Sequence, residues 1–124
     1  MITIRGIDIN FSITNPADMR RLHTAQQNAG ERESEAKAPT DTEDPEYILK
    51  YADWLNELLN VFGNFIDEAF GDGVAEKLLT NNPDFAMVFD VNDELEEALG
   101  IHVKAFTTRF DKYKPNRAAR RAKI

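Results

Sequence analysis

"AFGDGVAEKLL", residues 69–79, decides what kind of protein this sequence describes. Read as a phosphate cradle, its Gly-Asp-Gly core would leave a strand and point to an α/β fold. That reading needs a run such as G-x-x-x-x-G-K-[ST], because backbone N–H groups and a lysine must converge on the phosphates. Here Gly71 follows a long helical pattern, and neither lysine nor Ser/Thr directly follows Gly73. A calcium loop needs oxygen ligands at alternating positions over about 12 residues and a closing Glu. Asp67, Glu68, Asp72 and Glu76 lie nearby without that spacing. A bend between two helices needs only what is present: Gly71 as a left-handed C-cap, Asp72 as the next N-cap and Gly73 as slack. The stretch therefore predicts a helical protein with no phosphate or calcium chemistry at this point.

Upstream of the bend, Asp44-Pro45-Glu46 opens a helix expected over residues 45–70, the longest in the chain, about 39 Å at ~1.5 Å per residue. Ile48, Tyr51, Leu55, Leu58, Leu59, Phe62, Phe65, Ile66, Ala69 and Phe70 recur at three- and four-residue spacing. That stripe is wide enough to meet two neighbours and makes this helix the expected organiser of the core. Downstream, "VAEKLLTNN" predicts a short helix ending near Asn81-Asn82, and Pro83 restarts another through Phe85, Met87, Val88 and Phe89. Asp90-Val91-Asn92-Asp93 offers a further cap or kink. The last helix then runs to about Tyr113 with Leu95, Leu99, His102, Val103, Phe106 and Phe110 on one face, and Gly100 is a candidate bend.

At the amino terminus, Ile2, Ile4, Ile7, Ile9, Phe11 and Ile13 alternate with polar residues, the two-residue period of a half-buried strand. Arg5-Gly6 interrupts the alternation, so residues 2–5 and 7–13 are expected to pair as a hairpin whose isoleucine face covers something. Asn15-Pro16-Ala17-Asp18 is a helix start, with Asn as N-cap and Pro at the first helical position. The helix that follows carries only a thin stripe, Met19, Leu22, Ala25 and Ala29, with Gly30 as the expected stop. Residues 31–44 contain no large apolar side chain and read as a poorly ordered solvated linker or a frayed extension of that helix. The fold class is α+β: an N-terminal β-hairpin followed by a mainly α-helical domain of about four helices, one domain over residues 1–113 with a basic tail over 114–124.

Composition narrows the function classes. The 124 residues contain no cysteine, which removes disulfides, thiolate nucleophiles and Cys-ligated zinc and suits a reducing cytoplasm. No apolar run approaches the ~20 residues of a membrane span, and no leader pattern follows Met1, so a soluble, unexported protein is expected. The formal charge of −7 conceals an asymmetry. Residues 112–124 hold six of the fifteen basic side chains and no acid, leaving residues 1–111 with nine basic against twenty-two acidic groups, a balance of −13.

Catalytic and metal patterns are lacking. His23 and His102, the only histidines, have neither H-x-x-x-H nor His/carboxylate spacing. Glu96-Glu97 and Asp67-Glu68 are adjacent acids that point apart on a helix and read as solvated faces. Neither Ser12 nor Ser34 sits in a nucleophile elbow. No catalytic, cofactor or metal residue is assigned, and the expectation is a protein that is not an enzyme. Trp54 reads either as a binding anchor or as packing at the edge of the long stripe. The tail, "KYKPNRAARRAKI", carries three readings: phosphate contact, docking on an acidic protein surface, or a solubilising tail. A pI near 4.8 argues against the whole chain binding nucleic acid, because the acidic body repels the backbone the tail attracts.

The order of hairpin, capped helix, polar linker, aromatic-rich helix and glycine bend resembles a group of small phage and prophage proteins encoded among tail genes. The matching residues are Ile4, Gly6 and Phe11 in the strand pair, then Phe70, Gly71, Gly73, Val74, Ala75 and Lys77 around the bend, within residues 1–99. The resemblance implies a tail assembly chaperone, which binds the long tape measure protein in the host cytoplasm until tube subunits polymerise around it. It does not account for the basic tail. On this reading the acidic body favours a basic client, and exposed hairpin edges offer pairing between copies. Trp54, Phe62 and Phe85 are the expected client contacts. The rivals are a structural tail component of the virion, with the hairpin and tail as permanent contacts, and a nucleic-acid-associated protein acting through Arg117, Arg120, Arg121 and Lys123.

Overall fold

The hairpin forms because its turn accepts a left-handed backbone. A computed structural model describes residues 1–79 and 83–111. Strands β1 (Ile2–Ile4) and β2 (Ile7–Ile9) pair antiparallel with Ile2 opposite Ile9, Thr3 opposite Asp8 and Ile4 opposite Ile7. Arg5 and Gly6 both have positive φ, 51° and 76°, the pattern of the tight turns whose twist matches a right-handed strand pair. Glycine adopts this freely, whereas Arg5 pays about 1 kcal/mol for it. On the open face Thr3 Oγ1 donates to Asp8 Oδ1 at 2.7 Å, and on the other face Ile2, Ile4 and Ile9 are buried. The second strand ends at Ile9, short of the expected residue 13, because the Phe11 amide turns back to the Ile9 carbonyl and drives the Phe11 ring inward.

Asn15 caps α1 (Pro16–Glu35) as expected, its side chain accepting from the Ala17 and Asp18 amides. Asp18 in turn accepts from the Ser12 amide at 2.9 Å, fixing the hairpin's exit against the first helical turn. The helix does not stop at Gly30. It continues to Glu35, so residues 31–35, expected as linker or frayed extension, are helical, and only residues 36–46 connect α1 to α2 (Tyr47–Phe70). The reason is tertiary: Arg32 Nη1 donates to Glu68 Oε1 of α2 at 2.8 Å, and Asn28 reaches the same carboxylate. A helical glycine costs only about 1 kcal/mol, which such packing offsets.

The bend after α2 is the one the sequence predicts, with its parts exchanged. Gly71 has φ 124° and ψ 152°, outside the left-handed helical region, and Gly73, φ 85° and ψ −6°, is the left-handed residue. The cap of α3 (Val74–Leu78) comes from α2 itself: Asp67 Oδ1 accepts from the Ala75 amide at 2.9 Å, while Asp72 is exposed. After the bend, α4 (Phe85–Asp111) is a single helix of 27 residues, longer than the 24 of α2. Residues 90–93 neither cap nor interrupt it, because Asp84 supplies the start by accepting from the Met87 amide. The short helix α3 ends at Leu78 with Leu79 extended, before the expected Asn81-Asn82, while the expected end at Tyr113 lies outside the described residues, as does the basic tail.

The core lies where the hairpin meets the carboxyl end of α2. Ile2, Ile4, Ile9 and Phe11 pack with Leu22 and Ala25 of α1, Ile66, Ala69 and Phe70 of α2, Ala75 and Leu78 of α3, and Val91 and Leu95 of α4. Phe11 is fully buried and meets Phe70 edge to face with ring centroids 5.0 Å apart. Only the last turns of α2 are buried. Ile48, Leu49 and Tyr51 at its other end are exposed, so its stripe is not consumed by the core. The α+β class, a hairpin followed by four helices, is established, and no described helix is long and apolar enough to cross a membrane.

Phe11→Ala removes the ring that joins hairpin to helix and should cost about 3–5 kcal/mol in urea unfolding, with an unchanged denaturant slope. A loss under about 1 kcal/mol would show that the hairpin is not integral to the cooperative core. At the bend, Asp67→Ala should cost about 1 kcal/mol as a lost cap, and Asp72→Ala less than about 0.5. The reverse order in thermal unfolding would return the cap to Asp72.

Candidate functional site

Because α2 spends only its carboxyl end on the core, the middle of the helix is left to line an open groove. Arg21 Nε of α1 donates to the Ala69 carbonyl of α2 at 3.0 Å, and further along the two helices Glu33 and Leu58 both line the groove. The first turns of α4 form the third wall with Phe85, Val88 and Asn92. This part encloses about 320 Å³ between Gln26, Ala29 and Gly30 of α1 and Val61, Phe62 and Phe65 of α2. It opens through Glu33, Leu58 and Phe85 into a wider part of about 680 Å³, lined by Tyr51, Trp54, Leu55 and Leu59 with Pro83, Asp84 and Phe89.

The groove is aromatic along its length. Tyr47 stacks on Tyr51 at 6.2 Å between centroids, Tyr51 tilts onto Trp54 at 5.6 Å, and Phe85 meets Phe89 at 5.8 Å on the opposite wall. Phe62 and Phe65 follow at 6.3 Å deeper in. The Trp54 Nε1 donor is buried without a hydrogen-bond acceptor, and Phe89 is 62 % exposed. A buried indole N–H normally finds a partner, so this one is an unmet hydrogen bond within the protein. Among the described residues that line it, only two are charged, Glu33 and Asp84, and both are acids.

Trp54, Phe62 and Phe85, singled out in the sequence, are thus brought into one groove, each half-buried. Arg117, Arg120 and Arg121 lie outside the described residues. Sequence reasoning missed Glu33 and the α1 wall, because residues 31–44 carry no apolar signal. The continuation of the Leu22, Ala25 and Ala29 spacing into Glu33 was the available clue. It also missed Tyr51 and Phe89 as groove residues, which read as ordinary stripe members. His23 is exposed on α1 and His102 half-buried on α4. Among the described residues no group of three or more histidine, aspartate or glutamate side chains is placed to hold a metal.

Residues 5–124 match the family of unknown function DUF6673. The chain belongs to that family. The match takes in all four helices and the whole groove, so the α1, α2 and α4 walls are parts of one family domain. The chain matches no curated protein and no solved structure.

Electrostatics hold the α1 wall in place. The Arg32 guanidinium keeps the Glu68 carboxyl below its ordinary value of 4.5, against the partial burial that raises it, and the Asn28 amide assists. A lowered carboxyl contributes stability that is complete above its unfolded value and is lost as pH falls through the folded one. Both side chains are about 40 % accessible, 42 % for Arg32 and 34 % for Glu68, so the contribution is of order 1 kcal/mol or less. Thermal stability should therefore fall below pH 4.5 by a component that Glu68→Gln removes. An identical acid profile in the two proteins would mean that the pair does not hold the wall.

Proposed function

We propose that this protein is a non-enzymatic binding protein of phage tail assembly, a chaperone-like factor that holds a segment of the tape measure protein, or of another tail protein, in the host cytoplasm. The observation that carries the reading is the three-helix aromatic groove, with acids as the only charges among its described lining residues. A groove of this shape and polarity fits the apolar face of an amphipathic helix flanked by basic side chains. Its aromatic anchors, Trp54, Phe62 and Phe85, are the residue types that carry most of the energy where a partner is fully desolvated. The resemblance around Phe70–Lys77 supplies the tail-gene context. The acidic body supports a protein client over nucleic acid.

Co-expression with the tape measure protein of the same phage should yield a soluble complex. Phe85→Ala and Trp54→Ala should each weaken it by about 2 kcal/mol, near thirty-fold, in calorimetry. Assembled tails should lack the protein, since a chaperone leaves, and binding should change little between low and moderate salt compared with phosphate binding. Full affinity in both variants would dismiss the groove as the client site. Retention in purified tails would make the protein a structural component instead.

A further inference from the structure

We propose that the narrow part of the groove is a pocket for one aromatic side chain carried beside a positive charge, and that Gly30 keeps the pocket open. The inference deepens the client reading, on which it rests only for the partner's being a protein segment. Size is the first argument. This part holds about 320 Å³. One turn of helix with its side chains, about 10 Å across and about 5.4 Å long, fills roughly 420 Å³. A client helix therefore rides over the wider part, about 680 Å³, and sends a single large side chain into the narrow one.

Gly30 is the second argument. A glycine inside a helix costs stability, because it has no side chain to pack and loses the most conformational freedom on folding. A left-handed backbone or a close approach is the usual reason for keeping one. Neither applies here: Gly30 is not among the positive-φ glycines, and a Cβ built on it meets no heavy atom within 4 Å beyond its own helix backbone. Gly63 on α2 is the contrast, its Cβ position lying 3.9 Å from the Ala75 side chain. Gly30 shares a face of α1 with Gln26, four residues before it, and Glu33, three after it, and all three line the narrow part. The space a side chain would take there is left to an occupant.

The lining is the third argument. Phe62, Phe65 and Phe85 contribute three rings to a volume bounded also by Leu58, Val61 and Val88. Rings gain from an aromatic guest beyond the area it buries. Glu33 is the one charged residue among the described lining residues of this part, and its carboxylate is in no ion pair among the described residues. The neighbouring Arg32 is committed to Glu68. A cation beside the guest ring is therefore complementary to Glu33, whereas a carboxylate there would be repelled. The partner's recognition element is an aromatic residue beside a lysine or arginine.

The test titrates the full chain with small probes, followed by ligand-observed NMR. Phenethylamine supplies ring and ammonium, 2-phenylethanol the ring at the same length without charge, and n-butylamine the ammonium without the ring. Phenethylamine should bind saturably with a Kd of about 1 mM, 2-phenylethanol roughly threefold or more weakly, and n-butylamine without saturation. Glu33→Gln should bring phenethylamine to the level of 2-phenylethanol. Gly30→Leu should weaken both ring probes by roughly tenfold or more while raising Tm, because leucine favours the helix and covers the rings itself. Gly100→Leu is the control for a helix effect: Gly100 is equally open but lies on α4 eight residues beyond Asn92, and its substitution should leave both probes unchanged. Should Gly30→Leu fold poorly, Gly30→Ala should still bind the ring probes several-fold more weakly than wild type. No saturable binding of phenethylamine, ring-probe binding equal to wild type in a folded Gly30 variant, or an ammonium advantage that survives Glu33→Gln would overturn the proposal. Co-expression with the tape measure protein is read separately: probe binding without a client complex fails the client reading alone, and a client complex without probe binding fails this proposal alone.

Discussion

The contact on which the remaining structure depends is the edge-to-face meeting of Phe11 and Phe70, 5.0 Å between ring centroids. A two-stranded hairpin of three-residue strands has too little surface to persist alone in water. Its isoleucines become a core only because Phe11, turned inward after β2, finds the last turn of α2, where Ile66 and Ala69 complete the same pocket. That single junction also gathers α4, which closes over β1 with Val91 and Leu95. It also fixes which third of α2 is buried.

The groove is the consequence of that choice. A 24-residue amphipathic helix whose core contacts lie in its last turns must display the rest of its apolar stripe. The display is shaped by its neighbours: α1 is drawn alongside by Arg32 and Glu68, and α4 begins where Asp84 caps it. Among the described lining residues the two charged ones, Glu33 and Asp84, are both acids. Aromatic floor and acidic rim are the two features on which the proposed client binding rests.

The elements themselves were largely legible. Alternation over residues 2–9, the Asn15-Pro16 start and the three- and four-residue spacing from Ile48 to Phe70 are local signals, set by backbone geometry and capping, and each led to the right element type. The errors share one cause. Gly30 and residues 90–93 carry local stop or cap signals that the folded protein overrides, in the first case through the Arg32 and Glu68 pair 36 residues apart in sequence. At the bend the composition was correctly read as a turn, yet the left-handed residue is Gly73 and the cap is Asp67, eight residues from the amide it satisfies. Of the groove, Trp54, Phe62 and Phe85 were singled out one by one, with no sign that they face one groove from two helices.

The sequence by itself determined the hairpin, the helix types and the charge division between body and tail, because periodicity, caps and composition act within a few residues. Only the tertiary structure decided how far α1 extends, which end of α2 is buried and that three separated aromatics line one acidic groove. Those are settled by pairings between residues tens of positions apart, and such pairings leave no period in the chain that makes them.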